Sequence, residues 1–314
     1  MKRSLLAIPI IACLVLGARA ADSTPPEPAV ASERAAGSLL LGVASAGPRL
    51  VAVGHRGHVV LSDDGGQSWR QAKSVPTRAT LTAVRFVDDR RGWAVGHDAI
   101  ILHSSDGGET WELQQFAPEL ETPLFSLWFE NARHGLAVGA YGLAFRTRDG
   151  GGSWERIVLV EEEDLHLNEI FAAPDGTLFV AAEQGTVYRS RDRGSSWEVL
   201  RTSSPGSFWG GIALRERAIL AFGMRGHLYR SEDGGETWAE VESGTEQSLT
   251  AAMEIEDGRV VVTGLGGTVL QSHDGGKSFR ADTRPELHRY TAVVSGPKGS
   301  LLLFGDTGVE RVDE

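Results

Sequence analysis

One turn recurs through this chain, and its spacing constrains the fold more than any other feature. Ser104-Ser105-Asp106-Gly107-Gly108-Glu109-Thr110-Trp111 is a copy of Ser/Thr-x-Asp-x-Gly-x-Ser/Thr-Trp. Copies begin at Ser62, Ser104, Thr147, Ser190, Ser231 and Ser272, in steps of 42, 43, 43, 41 and 41 residues. A steady period of about 40–45 residues built from short strand-like runs is that of a β-propeller, with one four-stranded blade per repeat. The 39 glycines are spread along the chain, as many tight turns require.

One unit can be read from end to end. Leu81-Thr82-Ala83-Val84-Arg85-Phe86 alternates and reads as a strand, and Asp88-Asp89-Arg90-Arg91 as a turn. Gly92-Trp93-Ala94-Val95-Gly96 is apolar on both faces, which suits a second strand buried between blades. His97-Asp98 is a tight turn, Ile100 to Ser104 a third strand, and Trp111-Glu112-Leu113 starts the fourth after the Asp turn. By the same reading, second strands end at Gly54, Gly96, Gly139, Ala182, Gly223, Gly264 and Gly305. Seven second strands against six Asp turns make an all-β, seven-bladed β-propeller over residues 37–314 whose last blade lacks its outer strand. An open edge invites mispairing. Residues 30–36, at the end of a Pro-rich arm (21–36, otherwise a flexible linker), are expected to supply that strand; a three-stranded last blade is the alternative.

The turn has a physical job. Asp64, Asp106, Asp149, Asp192, Asp233 and Asp274 can each accept backbone N–H bonds across their own turn, and the Gly pair allows positive φ. The closing aromatics Trp69, Trp111, Trp154, Trp197, Trp238 and Phe279 can bury large apolar area. Six equivalent aspartates cannot all be catalytic, so they are read as structural. The fourth copy has Arg193 in place of the first Gly, and the sixth ends in Phe279; both read as drift. Each turn offers one carboxylate, too few for a calcium site.

The N-terminus carries a separate message. Lys2 and Arg3, the apolar run Leu5 to Leu16, and Ala18-Arg19-Ala20 before Ala21 have the form of a secretory signal peptide, residues 1–20. Cleavage would release the chain to a periplasm or lumen. Ile10-Ile11-Ala12-Cys13 resembles a lipoprotein-processing site, but apolar residues continue past Cys13, which favours cleavage without lipidation. Cys13 is the only cysteine, so the mature chain has no disulfide, thiolate nucleophile or Cys–zinc site. Cleavage removes Lys2, Arg3 and Arg19 and no acid, taking the formal charge from -11 to -14. That balance speaks against nucleic acid and anionic membrane surfaces as partners.

The turns are similar to the Asp-boxes (BNR-like repeats) of sialidase-type propellers. More narrowly, Leu81…Phe86-Val87-Asp88…Gly92-Trp93-Ala94-Val95-Gly96…Ile101-Leu102…Asp106 to Trp111, repeated in Leu124…Phe129…Gly135-Leu136-Ala137-Val138-Gly139, resembles the photosystem II stability/assembly factor family. The resemblance covers roughly residues 37–314. It implies an exported, non-enzymatic seven-bladed propeller, photosynthetic members of which chaperone a membrane-protein subunit; a monomer without cofactors is expected. Members outside photosynthetic hosts suggest an envelope transporter component as partner, with peripheral membrane association compatible with either. A secreted glycan-hydrolysing or glycan-binding propeller is the alternative. Against a sialidase, the Arg-Ile-Pro motif is absent, and Tyr188 and Tyr229 sit at matching third-strand positions, which reads as packing.

Other chemistries find little support. Glu161-Glu162-Glu163-Asp164 is the densest acidic run and reads as a solvated loop, with no second carboxylate placed opposite it. His55 and His58 flank a turn but no further ligand is pinned by spacing, so a solvated turn is favoured over a metal site. Function is therefore sought where the repeats differ. The turns between second and third strands vary sharply, and on a ring they are expected to converge near the mouth of the central channel. His55, Arg56, His97, Asp98, Tyr141 and Arg225 are the candidate partner-binding residues on them.

Overall fold

The computed structural model describes residues 25–313. The expected signal peptide, with Cys13, lies outside the described residues, as do the first residues of the arm. Seven antiparallel sheets follow one another along the chain, six of four strands and a last one of three. Blade 2 is typical: Leu81–Phe86, Gly92–Gly96, Ile101–Ser104 and Glu112–Gln115. The seven second strands end at the residues expected from the repeat. Each is apolar on both faces because each lies between two neighbouring sheets, and residues 92–96, 135–139, 178–182, 219–223, 260–264 and 301–305 are all buried. Among the described residues no helix is long and apolar enough to cross a membrane.

The first strand of each blade lies innermost, where it abuts the first strands of both neighbours, and the first blade meets the last in the same way. The second residue of these strands bridges the seams. Thr82 Oγ1 donates to Leu124 O (2.7 Å), Asn168 Nδ2 to Phe208 O (2.7 Å), Thr250 Oγ1 to Tyr290 O (2.6 Å) and Thr291 Oγ1 to Leu40 O (2.6 Å). The last of these closes the ring, together with a cluster of Leu40, Leu50, Ala52 and Val60 from blade 1 and Ala292, Leu302 and Phe304 from blade 7.

Residues 30–36 do not form the missing outer strand. Blade 7 ends with Gly308–Val312 and has three strands. The arm is drawn elsewhere by better partners. The Gln71 carboxamide behaves like a peptide group toward it, donating to Val30 O (3.0 Å) and accepting from Ser32 N (2.8 Å). Ala29 N donates to Val75 O (2.9 Å), and Arg78 pairs with Glu27 (2.7 Å). Ala35–Gly37 then forms a single 3-10 turn against the last strand, with Ala35 buried in the cluster that joins blades 1 and 7. The arm contributes to closure by burial, not by strand pairing.

The Asp turn is both a local fold and a clip between blades. In blade 5, Asp233 Oδ1 accepts from Ser231 Oγ (2.9 Å) and Thr237 N (2.9 Å), Oδ2 accepts from Thr237 Oγ1 (2.6 Å), and Gly235 N donates to Ser231 Oγ (2.8 Å). Those bonds, the Thr237 hydroxyl first, hold the Asp233 carboxyl down at about 2. Gly235 lies at φ +90°, and a Cβ there would stand 2.9 Å from Leu200 of the preceding blade. The carbonyl of the first Gly is also taken from behind: Arg49 Nη1 donates to Gly107 O (3.1 Å), Arg189 Nη1 to Gly234 O (2.6 Å) and Arg230 Nε to Gly275 O (3.0 Å). In the fourth copy Arg193 occupies the first Gly position at φ 60°, and its side chain reaches Glu130 of the preceding blade (2.5 Å). What looked like drift carries a seam contact in another form.

Candidate partner-binding face

An antiparallel blade sends its Asp turn to one face of the ring and the turn between second and third strands to the other, together with the links between blades. On that second face, six of the seven turns use two consecutive residues with positive φ, as in a type I′ hairpin. The pairs are Arg56-Gly57, Asp98-Ala99, Tyr141-Gly142, Gln184-Gly185, Arg225-Gly226 and Gly266-Gly267. In four of the blades the second of the pair has little freedom. A Cβ on Gly57 would lie 2.0 Å from Thr77 O, and one on Gly226 would lie 1.9 Å from Thr245 O, because the linking segment passes behind. The first of each pair forms the apex. Five apices carry a side chain in the left-handed region, a conformation that costs about 1–2 kcal/mol for an L-residue.

All six candidate residues lie on this face. His55, Arg56, His97, Tyr141 and Arg225 are exposed and Asp98 is half-buried. Candidates from different turns share a face without touching: among the described residues no hydrogen bond, ion pair or ring contact joins them. His55 and His97 come nearest, through Thr80, whose Oγ1 lies 3.3 Å from His55 Nδ1 and whose carbonyl accepts from His97 N at 3.0 Å. The turns cap the second and third strands, one step out from the innermost strand of each blade. Beside Arg225 an open groove of about 640 Å³ is lined by His227, Glu240, Glu242 and Glu246. His227 Nδ1 lies 3.2 Å from Glu240 Oε1.

Two sequence expectations change. His58 is not a solvated turn residue: it is buried, with Nδ1 2.9 Å from Ser38 Oγ, and burial, then His55 and Arg56, hold it below the ordinary histidine range. The acidic run is not uniformly solvated. Glu161, Glu162 and Asp164 are exposed, but Glu163 turns inward to Arg201 (2.6 Å) and accepts the Tyr188 hydroxyl. Burial, then that carboxylate, push the Tyr188 phenol far above its ordinary value and hold it protonated. A parallel grouping in blade 7 sets Tyr290 (2.9 Å) and His288 (3.2 Å) on Glu310, with Arg284 at 3.2 Å. Among the described residues no group of three His, Cys, Asp or Glu could hold a metal ion.

The channel adds residues that the repeat alone did not reveal. The third residue of the innermost strand is Gly42, Ala83, Ser126, Gly210, Ala251 or Ala292 in six blades and Glu169 in the fourth. Its Oε2 accepts from Gly211 N of blade 5 (2.9 Å), beside Gly210, where a Cβ would stand 2.5 Å from it. Burial raises Glu169 to about 7, against the pull of the Gly211 N–H and of Arg85. Tyr141, 66% exposed, sets its ring at right angles to His166 (centroids 4.6 Å apart), and His166 lies 6.0 Å from Phe125 at the start of the innermost strand of blade 3. Only an alignment of the repeats position by position would have picked out Phe125 and Glu169.

The sequence profile of the family described as photosynthesis system II assembly factor YCF48 matches residues 67–218 and again 114–262, together more than half of the chain. The chain belongs to this family. No curated protein matches it. Among solved structures it is similar to one described as YCF48 bound to D1 peptide, with 19% identity, a TM-score of 0.73, and 93% of this chain and 98% of that one covered. It is also similar to YCF48 from Cyanidioschyzon merolae (18%, TM-score 0.69, 87% and 95% covered). A streptogramin B lyase structure matches too (13%, TM-score 0.73, 88% and 93% covered), so the same ring also hosts enzymes. At these identities the structural likeness speaks for the fold; the family assignment rests on the profile.

Proposed function

We propose that this protein is an exported, non-enzymatic scaffold. In this reading, the face of the second-to-third-strand turns binds a segment of a membrane-protein subunit and assists assembly of its complex. The observation that carries the reading is the difference between the two faces. One repeats the same Asp turn in six blades; the other shows a different apex in nearly every blade, five of them with side chains held in a costly backbone conformation. Membership of the YCF48 family and the likeness to a relative described as bound to a D1 peptide support a protein partner, with a photosystem II subunit the first to test. The basic start, apolar run and small-residue cleavage site of residues 1–20 support release into a periplasm or lumen.

Affinity capture from a membrane extract tests this. The wild-type ring should recover a defined membrane-protein subunit, and Arg56→Glu with Arg225→Glu should reduce recovery roughly tenfold with an unchanged melting temperature. Turnover of an oligosaccharide with no protein captured would replace this reading with the glycan one.

A further inference from the structure

The second position of the innermost strand follows a structural rule that three blades break. Thr82, Asn168, Thr250 and Thr291 each donate across a seam to the next blade. Blades 1, 3 and 5 have Leu41, Phe125 and Trp209 there. Leu41 and Phe125 carry no donor, and Trp209 makes no such bond, so three seams forgo a link worth about 1 kcal/mol. All three side chains remain half-exposed at the channel mouth on the face of the variable turns, where burial gives no reason for them. A local rule broken without structural gain marks a functional position.

Phe125 does not stand alone. His166 and Tyr141 continue an aromatic run outward from it across the seam of blades 3 and 4, and Trp209 lies at the equivalent position two blades round, on the innermost strand of blade 5. The surroundings are acidic. A Cβ on Gly142, beside the Tyr141 apex, would lie 3.6 Å from Asp164 Cα, and the same link exposes Glu161 and Glu162. The nearby Arg201 is already neutralised by Glu163. The surface therefore offers apolar rings for an anchor and free carboxylates around them.

We propose that Phe125, Trp209 and Tyr141 form a docking site for a linear segment of a partner protein. The segment places a bulky apolar side chain on Phe125 and Trp209, and Lys or Arg side chains against the Tyr141 ring and the carboxylates of Glu161, Glu162 and Asp164. Rings supply the anchoring area, and a cation over a tyrosine beside carboxylates gains from both. This rests on the partner-binding reading above and specifies the chemistry of the partner.

The probe is a fluorescein-labelled dodecapeptide with two phenylalanines flanked by lysines, compared with its lysine-to-glutamate counterpart by fluorescence anisotropy. The lysine peptide should bind saturably and roughly tenfold more tightly than the glutamate one, with the difference shrinking in salt. Phe125→Thr and Trp209→Thr should each weaken it about fivefold or more. Because threonine restores the seam bond, neither should lower the melting temperature. Tyr141→Ser, at an exposed apex, gives a third variant that cannot unsettle the core. Equal binding of both peptides, no saturation by about 1 mM, or binding unchanged in all three variants would overturn the proposal. Subunit capture that depends on Arg56 and Arg225, with peptide binding indifferent to Phe125 and Trp209, would remove this site and leave the wider reading standing. No capture at all would remove the wider reading.

Discussion

Ser231→Ala isolates what the Asp turn contributes. Ser231 is 1% exposed, and besides a long bond accepted from Asp233 N (3.4 Å) its Oγ makes two short ones: it accepts from Gly235 N at 2.8 Å and donates to Asp233 Oδ1 at 2.9 Å. Alanine removes both and leaves the buried Gly235 N–H without an acceptor. An unsatisfied buried N–H costs about 1–3 kcal/mol, and the second bond adds about 0.5–1.5. A loss of about 2–3 kcal/mol follows, which in a ring of this size lowers Tm by roughly 3–5 °C. The third blade supplies the control. Thr147 makes the same bonds there, donating to Asp149 Oδ1 at 2.9 Å and accepting from Gly151 N at 2.8 Å. Ser231→Thr should therefore stay within about 0.5 kcal/mol of wild type. Urea titration with tryptophan fluorescence reads both. If alanine costs no more than threonine, the hydroxyl is not holding the turn, and the aspartate and aromatic must do so without it.

Two further outcomes follow from the same geometry. Asp64, Asp149, Asp192 and Asp233 are held at about 2 in the folded ring, chiefly by hydrogen bonds from the Ser or Thr four residues on, so their stabilisation is complete above the ordinary aspartate value and is lost as pH falls through about 2. Glu169 runs the other way: raised to about 7, it favours folding below the ordinary glutamate value and withdraws that help as pH rises through 7. Stability measured by urea titration should therefore fall as pH drops below the ordinary aspartate value, and Glu169→Gln should remove a destabilising contribution between about pH 4.5 and 7 while leaving the acid limb intact. Truncation of the arm separates its two contacts. Starting the chain at residue 33 removes the exposed Gln71 and Val75 bonds and should cost about 1 kcal/mol; starting at residue 37 also removes buried Ala35 and should cost about 1–2 kcal/mol more. Equal melting temperatures for the two truncations would refute a role for Ala35 in closure.

The architecture was legible because a propeller is local physics repeated. A turn that satisfies its own donors, a second strand apolar on both faces and a fixed period can each be read in a single unit, and their number sets the ring. The lack of a fourth strand from the last repeat itself was legible for the same reason, since seven second strands stand against six Asp turns. The fate of the arm was not. Whether Val30 pairs with Val312 or with the side chain of Gln71 depends on which edge lies nearer in space, and nothing in the segment itself encodes that. His58 escaped for a similar reason: it follows a turn glycine, as a solvated residue would, yet the chain folds Ser38 onto it. Position along a repeat predicts direction well and partners poorly.

The departures from the repeat are where inference about function can go further. Arg193 departs from the Asp-turn pattern and finds Glu130, so the seam keeps a contact. Glu169 departs from a ring of small residues, but Gly210 clears space for it and Gly211 N donates to it, so that departure too is accommodated within the ring. Phe125 and Trp209 depart from the Thr/Asn rule and receive nothing comparable. They give up a seam bond, stay half-exposed, and stand on the face where neighbouring turns already hold side chains at positive φ. A fold that repairs its other exceptions and leaves these open has left a surface whose complement lies outside the chain. The acidic link beside Tyr141, with Glu161, Glu162 and Asp164, calls for positive charge on the segment at that end.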